Sequence, residues 1–192
     1  MTYQRTALAR SGDYRTRAED GNLYVEGYFA VFGSEYRMWD RGVETIDPGA
    51  FEGALEEDIR ALVNHDTALV LGRTTAGTLT LRADAIGLWG SILINQADQD
   101  AMNLYERVKR GDVSQCSFGF DILDQRMEER EDGTTVWTIL RVKLYEVSVV
   151  TFPAYEDTAV AARKKDWNDI QARKREQWRA GMLARLKGEQ DA

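Results

Sequence analysis

The chain contains one histidine, His65, which lies in the stretch ALVNHDTALVLGR between an apolar run and a Gly-Arg pair. A histidine can act as a general base near neutral pH, so its neighbours in space decide between a catalytic and a structural role. Three nucleophile candidates occur within four residues of GDVSQCSFGF, namely Ser114, Cys116 and Ser117. Together these residue types predict nucleophilic chemistry in which the imidazole accepts a proton from the nucleophile.

Strand alternation separates the three nucleophile candidates. Side chains of a strand point alternately to its two faces, so Ser114 and Cys116 share a face with Phe118. That face is predicted to be core, whereas Ser117 shares the opposite face with Gly119, which leaves space where a substrate backbone could approach. Ser117 is therefore the preferred nucleophile and Ser114 the alternative, with an ordinary strand serine as the structural interpretation. A cysteine protease built on Cys116 fits the pattern badly.

A serine–histidine pair needs a third group that orients the imidazole. Asp66 adjoins His65 but is expected on the opposite face of a strand. Glu146 lies inside LYEVSVVTF, an otherwise apolar strand, where a buried carboxylate requires a partner. That partner is either a cation such as Lys143 or the imidazole of His65, and composition alone leaves both open.

Composition excludes several classes of function. One histidine and one cysteine cannot make a usual zinc site, so no metal is expected. Neither a GxxxxGK nor a GxGxxG loop occurs, so nucleotide chemistry and a bound cofactor are not expected. The single cysteine allows no internal disulfide, which suits a reducing cytoplasm. No apolar run approaches 18 residues and no signal peptide is recognisable, so no membrane association is expected.

Charge is distributed unevenly along the 192 residues. Residues 1–157 carry 16 basic and 27 acidic groups, a net charge of −11, whereas residues 158–192 carry nine and five, a net charge of +4. An acidic body repels nucleic acid, which argues against a nucleic-acid-binding β-barrel. The basic tail is predicted to be an amphipathic helix with Trp167 and Trp178 on one stripe.

The elements that position these residues are mainly strands. Residues 34–42 are predicted to be a loop, and Asp47 is expected to cap a short helix that ends near residue 56. Strands are predicted at 22–33, 43–46, 58–65, 78–94 (two strands), 113–130 and 135–152, and a second helix at 98–112. The fold class is α+β and mainly β, a closed or nearly closed β-barrel flanked by short helices and followed by a helical tail. The predicted divisions are a flexible segment 1–20, a β-barrel domain 21–157 and the basic tail 158–192.

Five motifs, in this order, resemble those of the prohead (procapsid maturation) protease family of tailed bacteriophages. The resemblance covers residues 22–162, and the motifs read GYFAVFG, ETIDPGAFEGAL, LVNHDTALVLGRT, GDVSQCSFGF and LYEVSVVTFPAYEDTAV. The resemblance implies a serine endopeptidase with a fold similar to the herpesvirus assembly protease, a β-barrel surrounded by helices. It places the general base at His65, the nucleophile at Ser117 and the orienting acid at Glu146. The herpesvirus relatives use a second histidine as third member, and this chain has none.

The same resemblance implies the partners and the location. The expected substrates are the scaffolding segment of the major capsid protein precursor, any separate scaffold and the protease itself, inside the assembling prohead in the host cytoplasm. Arg73 is a candidate for oxyanion support, with a surface charge as the alternative, and an oligomer is possible. The alternative function is a non-catalytic capsid assembly or scaffolding factor on the same fold. The tail is expected either to dock the protein on the shell or to pack on its own body.

Overall fold

The computed structural model describes the backbone of residues 2–7, 14–152 and 157–188, and the side chains of residues 14–152 and 167–182. The chain forms two compact units, Met1–Tyr155 and Glu156–Ala192. In chain order the first unit contains β1 (Thr2–Ala7), β2 (Arg15–Glu19), β3 (Asn22–Val31), β4 (Tyr36–Trp39), β5 (Gly42–Ile46), β6 (Arg60–Val63), β7 (Asp66–Arg73), β8 (Leu79–Ala83), β9 (Gly87–Leu93), α1 (Gln99–Arg110), β10 (Gln115–Glu129) and β11 (Thr135–Val150). The second unit contains α2 (Asp157–Gly188).

The strands form two sheets. A seven-stranded sheet has the order β1-β10-β11-β5-β4, and β6 joins the second half of β11 and pairs in turn with β7. A four-stranded sheet has the order β2-β3-β9-β8. Neither sheet closes on itself within the described residues, so the predicted barrel is wrong. The physical reason lies in β11, because this 16-residue strand accepts the short strands β5 and β6 on one edge and leaves the sheet open at its ends.

One hydrophobic core contains side chains from both sheets. Phe29 and Leu88 come from the four-stranded sheet, while Phe118, Phe120 and Val147 come from the seven-stranded sheet, and all five are essentially inaccessible to solvent. The rings of Phe118 and Phe120 stack with their centroids 4.8 Å apart. The core face predicted for β10 is therefore confirmed for Cys116, Phe118 and Phe120. It is wrong for Ser114, which is exposed because it precedes the strand, and the opposite face of β10 carries Ser117.

Three stretches of the first 56 residues differ from the sequence-based expectation. Residues 1–20 contain β1 and β2 where a flexible segment was predicted, although residues 1 and 8–13 lie outside the described part. The loop predicted at 34–42 contains β4. The helix predicted at 47–56 is a series of turns that ends in a 3-10 helix at Ala54–Glu56, because Gly53 adopts a left-handed φ of 72° that interrupts a helix.

The helices follow local signals. The carboxylate of Asp98 accepts hydrogen bonds from the N–H groups of Asp100 and Ala101, and Gly111 ends α1 with a φ of 87°. These bounds confirm the predicted second helix. On α2, Trp167 is half-buried and Trp178 is 67% exposed, so the two tryptophans do not share one environment. Neither helix in the described part combines the length and apolar character that a membrane crossing needs.

Candidate active site

His65 occupies a tight turn rather than the end of a strand. Strands β6 and β7 form a hairpin in which Val63 pairs with Asp66, so Asn64 and His65 are the two central residues. Both have positive φ angles, 51° and 61°, as a type I′ turn requires. A left-handed conformation of a non-glycine residue costs on the order of 1 kcal/mol and concentrates at functional sites. The turn projects the imidazole from the end of the hairpin.

Hydrogen bonds hold this turn against β11. Strand β6 runs parallel to β11, and the N–H of Asn64 donates to the carbonyl oxygen of Val149 at 2.9 Å. The amide of Thr151 donates to the side-chain oxygen of Asn64 at 2.9 Å. The N–H of His65 donates to Oγ of Ser148 at 3.2 Å. The position of His65 is therefore fixed relative to the strand that carries the glutamate.

Glu146 is the partner of the imidazole. Its Oε1 lies 2.7 Å from Nδ1 of His65, and the two side chains are only 13% and 10% exposed. The other carboxylate oxygen, Oε2, accepts a 2.6 Å hydrogen bond from the hydroxyl of Ser148. Lys143, the rival partner, is exposed, and its ammonium lies 5.3 Å from the centre of the Tyr145 ring. The choice that composition left open between a cation and the imidazole is thus decided in favour of His65.

The second ring nitrogen of His65 has a different environment. Nε2 is buried and has no hydrogen-bond partner among the described residues. A carboxylate beside Nδ1 holds the ring proton on that nitrogen and leaves the lone pair on Nε2. A buried acceptor without a hydrogen bond reduces the free energy of unfolding by about 1–3 kcal/mol, so a functional reason for this arrangement is expected. In chemical terms, this nitrogen is ready to accept a proton from a neighbouring hydroxyl.

Ser117 lies on the same face of the sheet as this pair. In the antiparallel register of β10 and β11, Ser117 is opposite Ser148, and Gly119 is opposite Glu146. Directly opposite residues project to the same side, and Ser117 is fully buried. The sequence predicted that the space beside Gly119 would be open to a substrate, and this prediction is wrong. The carboxylate of Glu146 fills this space, because a Cβ at residue 119 would lie 3.1 Å from Cδ of Glu146.

The other predicted residues have surroundings that differ from those of the His65–Glu146 pair. Ser114 is exposed and precedes β10. Cys116 is fully buried on the core face, and its thiol donates to the carbonyl oxygen of Tyr28 at 2.7 Å. Burial raises the pKa of this thiol, which disfavours a nucleophilic thiolate. Arg73 lies at the end of the β6–β7 hairpin that is far from the turn. Its guanidinium donates two hydrogen bonds of 2.6 Å to the carboxylate of Asp58. Arg73 is thus a structural cation and not a neighbour of the pair.

Ser148 is the member of the site that the sequence analysis missed. Its hydroxyl accepts from the backbone of His65 and donates to Glu146, so it links the turn to the acid. The signal was present, because Glu146 and Ser148 are two residues apart in an apolar strand and so share a face. Within the described residues, no three His, Cys, Asp or Glu side chains form a group that could hold a metal ion.

Comparisons with known proteins agree with one another. A family model described as caudovirus prohead serine protease matches residues 12–173. The prohead protease of Enterobacteria phage HK97 is 30% identical over 147 residues, which cover 72% of this chain. Those residues span 61% of the HK97 protein, so this chain corresponds to part of that relative. The structure of the bacteriophage T4 capsid assembly protease gp21 aligns with a TM-score of 0.52 at 12% identity, over 79% of this chain and 98% of that one, and shows the same fold.

Proposed function

Because this chain belongs to the caudovirus prohead serine protease family, we propose that it is a serine endopeptidase with Ser117 as nucleophile, His65 as general base and Glu146 as orienting acid. The observation that carries the proposal is the 2.7 Å contact between His65 Nδ1 and Glu146, which leaves a buried, unpartnered Nε2. Ser117 projects from the same face of the sheet. Ser148 is a positioning residue that holds the acid.

The proposed reaction proceeds in two steps. Oγ of Ser117 bonds to the carbonyl carbon of the scissile peptide while its proton passes to Nε2 of His65. The C–N bond then breaks and the imidazolium returns the proton to the leaving amine. A water molecule attacks the acyl-enzyme by the same route, giving its proton to His65, and the proton returns to Ser117 as the new carboxyl end departs. Glu146 stabilises the imidazolium in both steps.

The proposed substrates are the scaffolding segment of the major capsid protein precursor, any separate scaffold and the protease itself. The names of the two relatives support this choice, since one is a prohead protease and the other a capsid assembly protease. The reaction would take place inside the assembling prohead, in the host cytoplasm. The basic charge of residues 158–192 and the exposed Trp178 suit a tail that docks on the inner shell surface.

The test is incubation of the purified protein with the major capsid protein precursor of the same phage, followed by mass spectrometry of the products. We expect discrete fragments that are absent with Ser117→Ala and unchanged by a chelator. Intact precursor together with normal shell assembly would favour the non-catalytic assembly factor instead.

A further inference from the structure

The proposed nucleophile cannot meet a substrate in the conformation seen here. Ser117 has no exposed surface, and the side chain of His65 is only 10% exposed. Attack on a peptide requires the hydroxyl to contact a carbonyl carbon, so part of the protein beside Ser117 must move first.

The strand neighbours of Ser117 identify the element that can move. Strand β10 is flanked by β11 on one side and by β1 on the other. Strand β11 carries Glu146 and Ser148 and also pairs with β5 and β6, so its departure would dismantle the site and the sheet. Among the strands that the structure describes, β1 lies at the edge of the sheet and pairs with β10 alone. Its departure would leave every other strand pair in place.

Strand β1 covers the backbone on both sides of Ser117. It runs antiparallel to β10 with Thr6 opposite Ser117, and its register extends from Ala7 opposite Cys116 to Thr2 opposite Asp121. Resting on the proposed function, we infer that this edge of β10 is the substrate site and that a substrate peptide replaces β1 as an added antiparallel strand. β1 then occupies the substrate site of its own chain and blocks cleavage until a substrate peptide displaces this strand.

The geometry of the edge defines the class of substrate. An extended chain rises about 3.3 Å per residue, so the edge that β1 covers accommodates about six residues, or 20 Å. Strand addition draws its affinity from main-chain hydrogen bonds and its selectivity from alternate side chains. The substrate must therefore be an unfolded or extended segment, which suits a scaffolding segment better than a folded domain.

A reversible tether tests the inference. Ala7 lies directly opposite the native Cys116, and opposed residues of antiparallel strands have Cα atoms about 4.5–5.5 Å apart, within the range of a disulfide. Because the Cys116 thiol is buried in the folded protein, the disulfide of Ala7→Cys is formed during refolding in a buffer that contains oxidised glutathione, and it is verified by mass. This disulfide locks β1 onto β10. Cleavage of the capsid precursor should then fall at least tenfold and recover fully with a reductant. The matched control, Ala7→Cys with Cys116→Ser, should not respond to oxidation.

A second measurement works without catalysis. In Ser117→Ala, addition of the capsid precursor should expose the amides of residues 3–7 to hydrogen exchange while those of residues 116–121 stay protected. The inference is overturned if the tethered protein cleaves at the rate of the reduced one, or if the β1 amides keep their protection while precursor is bound. The proposed function fails separately, if the reduced protein does not cleave or if Ser117→Ala does.

Discussion

Gly119 lies directly across the β10–β11 pair from Glu146 and leaves the volume that the carboxylate occupies. A Cβ at this position would overlap Oε1 and lie 3.1 Å from Cδ and 3.2 Å from Cγ of the glutamate. No strained φ demands glycine here, so the requirement comes from packing alone. The glycine thus determines where the carboxylate, and through it the imidazole of His65, can lie.

Gly119→Ala should therefore displace the carboxylate and reduce kcat/KM by about 10²-fold, the typical effect of a misplacement near 1 Å. The added methyl group should cost about 1–3 kcal/mol of unfolding free energy. Peptide-cleavage kinetics and thermal denaturation measure the two effects. In a Glu146→Gln background the same substitution should add little, because both changes act on one side chain. Additive losses would show that Gly119 acts elsewhere.

Ser148→Ala should lower kcat more than it raises KM, by about tenfold, because the acid loses its second anchor and His65 loses a backbone partner. The two groups left unsatisfied should cost about 1–3 kcal/mol of unfolding free energy. Ser91, another buried strand serine, offers the matched control, and Ser91→Ala should leave kcat unchanged. Equal kcat values for the two variants would remove Ser148 from the site.

Much of the local structure could be predicted from the sequence because it depends on local chemistry. The Asp98 cap, the Gly111 stop of α1 and the core face of β10 follow from capping and alternation. The contact between His65 and Glu146 is one of the two pairings that composition leaves open for this carboxylate, and the structure contains it. The motif order identified the family.

The remainder depends on pairings between distant segments. The seven-stranded sheet stays open because β5 and β6 both pair with one edge of β11. No local sequence pattern indicates this pairing. The turn at His65 was missed because the usual signal for a two-residue hairpin turn has glycine at the second central position, where this chain has histidine. Only the Val63–Asp66 pairing reveals the turn. Likewise, the space at Gly119 was expected to be open, because the register that brings Glu146 over it is a tertiary fact.

Cys116 should be inert toward thiol reagents in the folded protein. Burial raises the pKa of the thiol, so almost no thiolate is present near neutral pH. Iodoacetamide should label the unfolded chain promptly and the native chain only at the rate of opening. Cys116→Ser should keep most activity and lose about 1 kcal/mol of stability. Rapid native labelling that parallels loss of activity would revive the cysteine protease alternative.

The Arg73–Asp58 pair should contribute to stability but not to catalysis. The hydrogen bonds from Arg73, with a further one from Thr75, hold the pKa of the Asp58 carboxyl well below its usual value. A lowered folded-state pKa means that the contribution is complete above about pH 5 and is lost as the carboxyl protonates at lower pH. Arg73→Gln should leave kcat within about twofold of the parent value. It should also reduce the dependence of the free energy of unfolding on pH, measured by denaturation between pH 2 and 6. A large loss of kcat at unchanged stability would instead support the oxyanion role.

Substitution of Ser117 and Ser114 tests the assignment of the nucleophile most directly, because these two serines lie three residues apart in different environments. Ser117 is buried on the face that carries Glu146, whereas Ser114 is exposed ahead of β10. Ser117→Ala and His65→Ala should each reduce kcat by about 10⁶-fold, and the double variant should be hardly worse, since the members act as a unit. Glu146→Gln should lose about 10⁴-fold, because the acid only orients and stabilises the imidazole. Ser114→Ala is the matched control and should retain nearly full activity in the capsid-precursor assay. Normal cleavage by Ser117→Ala with a dead Ser114→Ala would move the nucleophile to Ser114.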